Sequence, residues 1–129
     1  MILVLRTDKP EAEIGLYIGK KQIDYHVWTA HRQLAEKLHQ EIYSMLKRRE
    51  QNWHDITGIV AYKGPGSFTG LRIGITVADT LASSLSVPII GEEGETWLAT
   101  GLARLSIGED DTLVIPEYGQ DVHISVPRK

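Results

Sequence analysis

The chain has no cysteine among its 129 residues, which excludes disulfide staples, thiolate nucleophiles and cysteine-ligated zinc or iron–sulfur centres. It also lacks an excess of one charge, since 14 Lys and Arg stand against 17 Asp and Glu for a formal net charge of -3. Such a surface has no strong attraction of its own for nucleic acid or anionic membrane. Long apolar runs are missing too. The opening run Met1–Leu5 is followed at once by Arg6 and Asp8, too short for a signal-peptide core or a membrane span, so a cytoplasmic protein with no membrane contact is expected. Aromatic residues are sparse, and Trp28, Trp53 and Trp97 fall one per element, where core or interface packing accounts for them better than base stacking. What is present, 42% hydrophobic and 24% charged residues, is ordinary composition for a single globular domain.

Residues 2–7, 13–20 and 22–28 alternate apolar and polar positions and are separated by Asp8-Lys9-Pro10 and Gly19-Lys20-Lys21. That spacing predicts three strands in an antiparallel meander. From His31 to Glu50 the apolar residues Leu34, Ala35, Leu38, Ile42, Met45 and Leu46 fall within roughly a third of a helix circumference. Thr29 is a candidate N-cap with His31 beside it, and Lys47, Arg48 and Arg49 suit the negative end of the helix dipole. A fourth strand is predicted over 56–62, a glycine-rich turn over 64–70, a second helix over 69–85, a short strand over 87–90 and a third helix over 93–105. The order is that of a ribonuclease H-like half-domain of the α/β class, a mixed five-stranded sheet with helices on its faces. The remaining stretch holds the acidic turn Gly108-Glu109-Asp110-Asp111, an apolar run at 113–116 and a tail ending Pro127-Arg128-Lys129; this end is expected to be loosely held.

The segment Gly64 to Ala78, GPGSFTGLRIGITVA, lies between a strand and a helix, where many α/β proteins bind phosphate. A Walker loop requires a lysine behind its second glycine, but Leu71 follows Gly70. The dinucleotide fingerprint GxGxxG is missed because Gly64, Gly66 and Gly70 give GxGxxxG, and Pro65 removes a backbone donor. A nucleophile elbow requires glycines flanking the serine at two residues, and Ser67 has Pro65 and Thr69 there. Two readings stay open. The glycines permit a tight strand-to-helix turn capped by Ser67 or Thr69, or Gly64, Gly66, Ser67, Thr69, Gly70 and Arg72 form an anion-binding loop at the helix N-terminus. A two-metal nuclease is disfavoured: the fourth strand ends in Tyr62-Lys63, the first in Arg6 with Asp8 only beyond it, and Glu36 and Glu41 read as solvated charges. The five histidines assemble no metal site, since His31 and His39 are two turns apart and His26, His54 and His123 are isolated. No catalytic residue is assigned.

From Gly64 to Ala78 the sequence closely resembles the TsaB (YeaZ) family, whose members carry a GPGSFTGxRIG signature between a strand and a helix. The resemblance extends in pattern over roughly residues 1 to 105, including the opening strands, His31 at the head of the first helix and the VPIIG strand at 87–91. It implies a member of the actin-like ATPase superfamily serving formation of threonylcarbamoyladenosine, the modified base beside the anticodon of tRNAs that read codons beginning with A. It further implies a non-catalytic partner of the paralogous enzyme TsaD, engaged through a helix bundle and joined by the ATPase TsaE, with tRNA reached only through the complex. The family's first strand usually ends in Asp-Thr, whereas this chain has Arg6-Thr7. The lost carboxylate argues against magnesium–nucleotide binding, and no cofactor is expected in this chain. The HxxxH metal pattern of TsaD has no counterpart, because Ala35 stands four residues after His31. Family members also carry a second half of the same fold, while here residues 1–105 read as one lobe and 106–129 as a short C-terminal extension. Two other functions are weighed: a nucleotide-binding module of the actin-like superfamily, and a peptidase, after the name glycoprotease given to a related branch, which neither the serine nor the histidine pattern supports.

The second helix carries apolar or small residues at Leu71, Gly74, Ile75, Val77, Ala78, Leu81, Ala82 and Leu85, an arc wider than packing on one sheet requires. Gly74, Ala78 and Ala82, at four-residue spacing, suggest a shallow groove for a partner helix. With Leu71 and Ile75, and with Ala35, His39, Tyr43 and Leu46 on the first helix, they form the expected interface for a homodimer or for TsaD. The competing reading is that the two helices cover each other within one subunit.

Overall fold

In the computed structural model, which describes residues 1–30 and 33–117, the sheet has the order β3-β2-β1-β4-β5. Strands β1 (Ile2–Arg6), β2 (Glu11–Ile18) and β3 (Lys21–Thr29) form the antiparallel meander. Strand β4 (Gly58–Gly64) lies parallel to β1, and β5 (Ile89–Glu93) lies parallel to β4. Parallel neighbours need long crossovers, which are supplied by helices α1 (Leu34–Arg48) and α2 (Phe68–Leu85); α3 (Trp97–Ser106) follows β5. The meander turns where Gly19 takes a positive φ of 60°, a conformation glycine adopts at little cost.

Register decides what each face buries. Leu3 pairs with Leu16 and Ile59, and Leu5 with Ile14 and Ala61, so these side chains share the face covered by α1 and α2. All are at most 1% exposed, and each fully buried aliphatic side chain stabilises the fold by roughly 1.5–3 kcal/mol. The other face presents Val4, Gly15, Tyr17, Val60 and Tyr62. There α3 comes so close that a Cβ at Gly101 would overlap Val60, and one at Gly58 would crowd Leu105.

Several boundaries differ from the sequence reading. Thr29 belongs to β3 and does not cap α1, whose N-cap position is Gln33 with no side-chain bond. His31 and residues 118–129, including His123 and the Pro127-Arg128-Lys129 tail, lie outside the described residues. Before β4 the chain makes a 3-10 turn (Trp53–Asp55) closed by a capping box: Asn52 Oδ1 accepts from the His54 N–H at 2.9 Å and the Asn52 N–H donates to Asp55 Oδ2 at 2.9 Å. This reciprocal cap holds 52–55 out of the strand, so β4 begins at Gly58. The fifth strand is displaced to 89–93, and α3 begins at Trp97 after Gly94 turns the chain at φ 72°.

Past α3, residues 109–117 return along the outer edge of β5. Ile89 O accepts from the Asp111 N–H at 2.8 Å, while Asp110 Oδ1 and Asp111 Oδ2 accept from the edge N–H groups of Ile89 and Gly91. The strap is tied further by the Val114 N–H to Asp79 Oδ1 at 2.9 Å and the Glu117 N–H to Lys63 O at 2.7 Å. The acidic turn thus satisfies the unpaired donors of an edge strand, which would otherwise invite another strand to pair.

Candidate functional site

At the junction of β4 and α2 each glycine admits another part of the same chain. A Cβ on Gly64, whose φ is 134°, would overlap the Glu117 carbonyl; on Gly66 it would overlap the Asp8 side chain, on Gly70 the Thr7 carbonyl, and on Gly74 the Thr7 hydroxyl. The Thr7 hydroxyl donates to Gly70 O at 2.7 Å and the Ser67 N–H donates to Asp8 O at 3.2 Å. Close approach of β1 and the strap therefore accounts for the glycine spacing. Ser67 occupies the N-cap position of α2 without making a side-chain capping bond, and Thr69 lies inside the helix.

The residues considered for anion binding are divided by the structure. Ser67, Thr69 and Gly70 line a cavity of about 380 Å³ with Thr7, Lys9 and Ile73. Gly64 and Gly66 are filled from behind as described, and the Arg72 guanidinium lies over the exposed Phe68 ring at 5.5 Å. Among the described residues Lys9 is the cation lining the cavity, and it is 3.2 Å from Glu13.

Arg6 holds Asp8 through two bonds, Nε to Oδ1 at 2.7 Å and Nη2 to Oδ2 at 3.2 Å. Its guanidinium also sits 3.9 Å from the centre of the Tyr62 ring, which meets Trp97 edge-on at 5.8 Å. Burial works against the Arg6 charge, but the adjoining Asp8 carboxylate outweighs it and the guanidinium is held more firmly protonated than usual. Burial raises the Tyr62 hydroxyl above its ordinary value, and this hydroxyl donates to Pro65 O at 2.8 Å. The nearest carboxylate to the glycine-rich turn is thus already paired with a cation of the same chain. Glu41, read from sequence as a solvated charge, bonds His26 Nε2 at 2.8 Å and ties α1 to β3, while Glu36 is exposed. Among the described residues no three histidine or carboxylate side chains gather as a metal site.

The two outer helices correct the expected interface. Leu71, Gly74, Ile75, Ala78 and Ala82 all face inward, with Ala82 only 4% exposed. The four-residue spacing of Gly74, Ala78 and Ala82 lets α2 approach the sheet, and the small residues are not available to a partner. Leu46 on α1 is buried as well, whereas Ala35, His39 and Tyr43 are exposed. What α2 leaves half-buried is a different stripe, Ile73, Val77, Leu81 and Leu85, again at four-residue spacing along one flank.

The two flanks turn toward each other. On α1, Glu41 and Arg48 bond to β3 residues His26 and Asp24, so Ala35, His39 and Tyr43 point away from β3 and toward α2 at 100° per residue. On α2, Asp79 bonds the strap beside β5, which leaves the Ile73–Leu85 stripe on the α1 side. Trp53 joins the α1 flank, stacked on His39 at 4.8 Å and on Tyr43 at 6.5 Å, with Lys47 Nζ 5.9 Å from the Tyr43 ring. The sequence reading missed Trp53 here; the Asn52-x-x-Asp55 box that folds it back was the available signal. The result is a groove with an aliphatic wall and an aromatic wall, and Tyr43 is 48% exposed within it.

The family model described as TsaD, tRNA N6-adenosine threonylcarbamoyltransferase, matches residues 28–101. The tRNA threonylcarbamoyladenosine biosynthesis protein TsaB of Bacillus subtilis (strain 168) is 46% identical over 101 residues, covering 78% of this chain and 39% of that protein. TsaB of Escherichia coli (strain K12) is 28% identical over 103 residues, covering 80% of this chain and 44% of that protein. The solved structure of YeaZ from Pseudomonas aeruginosa superimposes with a TM-score of 0.66 at 26% identity, over 71% of this chain and 43% of that one. The chain spans less than half the length of each of these relatives.

Proposed function

The chain belongs to the TsaB (YeaZ) proteins within the family of the threonylcarbamoyltransferase model, and on that premise we propose that it serves formation of threonylcarbamoyladenosine in tRNA as a non-catalytic partner of TsaD. The observation that carries this reading is the α1–α2 groove. Ile73, Val77 and Leu81 on one side and His39, Tyr43 and Trp53 on the other match the demands of an amphipathic helix laid between them, with aromatic anchors at the centre of the contact. A second copy of the chain takes the same groove when TsaD is absent. TsaE and tRNA join through the TsaD complex, and the chain itself works without a cofactor.

The Arg6–Asp8 pair supports the same reading against a nucleotide-binding module. The loop beside the glycine-rich turn presents a satisfied ion pair rather than a carboxylate open to magnesium. Magnesium and ATP are therefore expected to leave the melting temperature unchanged, since a ligand that bound only the folded chain would raise it. The direct test is light-scattering size exclusion of the chain with and without TsaD of the same organism. A dimer that converts to a mixed complex is expected, and a monomer unchanged by TsaD would overturn the proposal.

A further inference from the structure

We infer that the outer edge of β3 is a pairing surface for the β3 edge of a second copy of this chain, kept shut by Asp24 under the grip of Arg48 and Arg49. It does not rest on the TsaD reading, because this edge lies on the side of α1 that bonds β3, away from the α1–α2 groove.

The two edges of the sheet are closed to different degrees. The strap runs along β5, whereas no described strand lies beyond β3. Register decides which backbone groups of β3 face that open side. The Ala30 N–H donates to Pro10 O at 3.0 Å, and opposed residues in an antiparallel pair alternate between bonded and non-bonded. Counting back from Ala30, the bonded pairs are Trp28 with Ala12, His26 with Ile14 and Asp24 with Leu16, so Tyr25, Val27 and Thr29 turn their N–H and C=O groups outward. The Tyr25 N–H is met there by Asp24 Oδ1 at 2.8 Å. Val27 and Thr29, both exposed, have no such side-chain acceptor among the described residues.

A row of open edge groups invites another strand, and the sequence of β3 suits it to itself. Residues 22–29 are rich in β-branched and aromatic side chains, and Asp24 is the sole Asp, Glu, Lys or Arg among them; segments of this kind pair readily unless a charge interrupts. An antiparallel pair centred on Val27 opposes Tyr25 to Thr29 and His26 to Trp28, and it joins two Val27 side chains that are each 51% exposed. These are cross-strand contacts of the favourable aromatic and β-branched kind. The pair uses all three outward positions and stops short of Ile23, which the register skips between the Leu16–Asp24 and Tyr17–Gln22 pairs. To form it, the Tyr25 N–H has to leave Asp24 for the Thr29 carbonyl of the other copy. Asp24 resists because its Oδ2 accepts from Arg48 Nε at 2.9 Å and Arg49 Nε at 3.1 Å, so α1 fixes the acceptor at the end of the edge. The arrangement parallels the β5 edge, where Asp111 covers the Gly91 N–H and is itself held by Arg104.

Amide hydrogen exchange and molar mass, both on the full chain, test this. In the unaltered chain the Val27 and Thr29 amides are expected to be about tenfold or more less protected than Tyr25 at every concentration. Asp24→Val is made in the Leu81→Asp background, so that the α1–α2 groove takes no part, and its mass is read as a ratio to that parent, which keeps the outcome separate from the fate of the groove reading. At about 0.1 mM it is expected to show about twice the parent mass, as for a symmetric pair, with the Val27 and Thr29 amides newly protected. Adding Val27→Pro, which removes the central donor at a position where an edge strand accepts proline, returns the parent mass, whereas adding Val27→Thr keeps the doubled one. Asp24→Thr serves in place of Asp24→Val if circular dichroism shows the latter unfolded. A folded Asp24 variant that keeps the parent mass, or a doubled mass that survives Val27→Pro, overturns the inference. So does a Tyr25 amide as open to exchange as Val27. Protection of Val27 and Thr29 in the unaltered chain overturns it as well: protection that grows with concentration means that Asp24 does not keep the edge shut, and protection that does not means that another part of this chain, residues 118–129 among the possibilities, already covers it.

Discussion

Helix α2 carries two apolar stripes, and they behave oppositely. The inner stripe of Leu71, Gly74, Ile75, Ala78 and Ala82 is closed against the chain's own β1 and sheet, to the point that Gly74 has no room for a methyl beside Thr7. The outer stripe of Ile73, Val77, Leu81 and Leu85 is made of larger side chains that are only half-buried. Small residues at four-residue spacing thus serve the fold here, and the large ones left half-buried are those we propose for recognition. The comparison warns against reading a small-xxx-small pattern as an intermolecular groove: close approach to a sheet needs the same missing volume.

The comparison breaks most sharply at Ala82 and Gly74. Ala82→Asp buries an unpaired carboxylate under the helix and is expected to cost about 4 kcal/mol, and Gly74→Val forces β1 and α2 apart for about 3 kcal/mol; urea unfolding would measure both. If either variant keeps native stability, the inner stripe is not the packed one. On the outer stripe, Val77→Asp should shift stability by less than about 1 kcal/mol while weakening TsaD binding by about 2 kcal/mol, roughly thirtyfold. Titration calorimetry alongside unfolding separates the two effects.

A smaller effect is expected at Arg6. Arg6→Ala leaves the nearly buried Asp8 carboxylate without its two charge-assisted bonds and removes the stack on Tyr62, a loss of about 1–2 kcal/mol. The variant should still not gain stability from magnesium and ATP, and such a gain would reopen the nucleotide reading.

The smallest effect concerns the strap. Burial raises the Asp79 carboxyl above its ordinary value, and the Val114 N–H that it accepts offsets only part of that. Because the folded value is the higher one, this group's contribution to stability is complete below the ordinary carboxylate range and is lost as pH rises through the raised value. Asp79→Asn keeps an acceptor for Val114 and cannot ionise. Its urea midpoint should exceed that of the unaltered chain at pH 7, with the advantage shrinking as pH falls toward 4. An advantage independent of pH would assign the effect to packing instead.

Much of this was legible in the sequence because it is local. The alternation in residues 2–28 gave the meander and its register faces, and the 3.6-residue period gave Leu34, Leu38, Ile42 and Met45 as the buried side of α1. The breadth of the apolar arc on α2 correctly implied a surplus, but periodicity alone does not say which edge of an arc meets the sheet. That was decided by Thr7, some 67 positions away from Gly74 in sequence. The same distance problem hid the strap. Asp110 and Asp111 read only as part of an acidic turn, and only the tertiary fold brings them to the N–H groups of Ile89 and Gly91, about 20 residues back. The glycines of the signature were visible at once, whereas their partners, Asp8, the Thr7 carbonyl and Glu117, were not.

The most direct test of the α1–α2 groove is the molar mass, by light-scattering size exclusion, of mixtures of TsaD with the unaltered chain and with Leu81→Asp. The expected result is a mixed complex for the unaltered chain and separate species for the variant, whose melting temperature stays within a few degrees of the original. A complex that forms equally well with Leu81→Asp, or none with either chain, would contradict the assignment of this groove to TsaD.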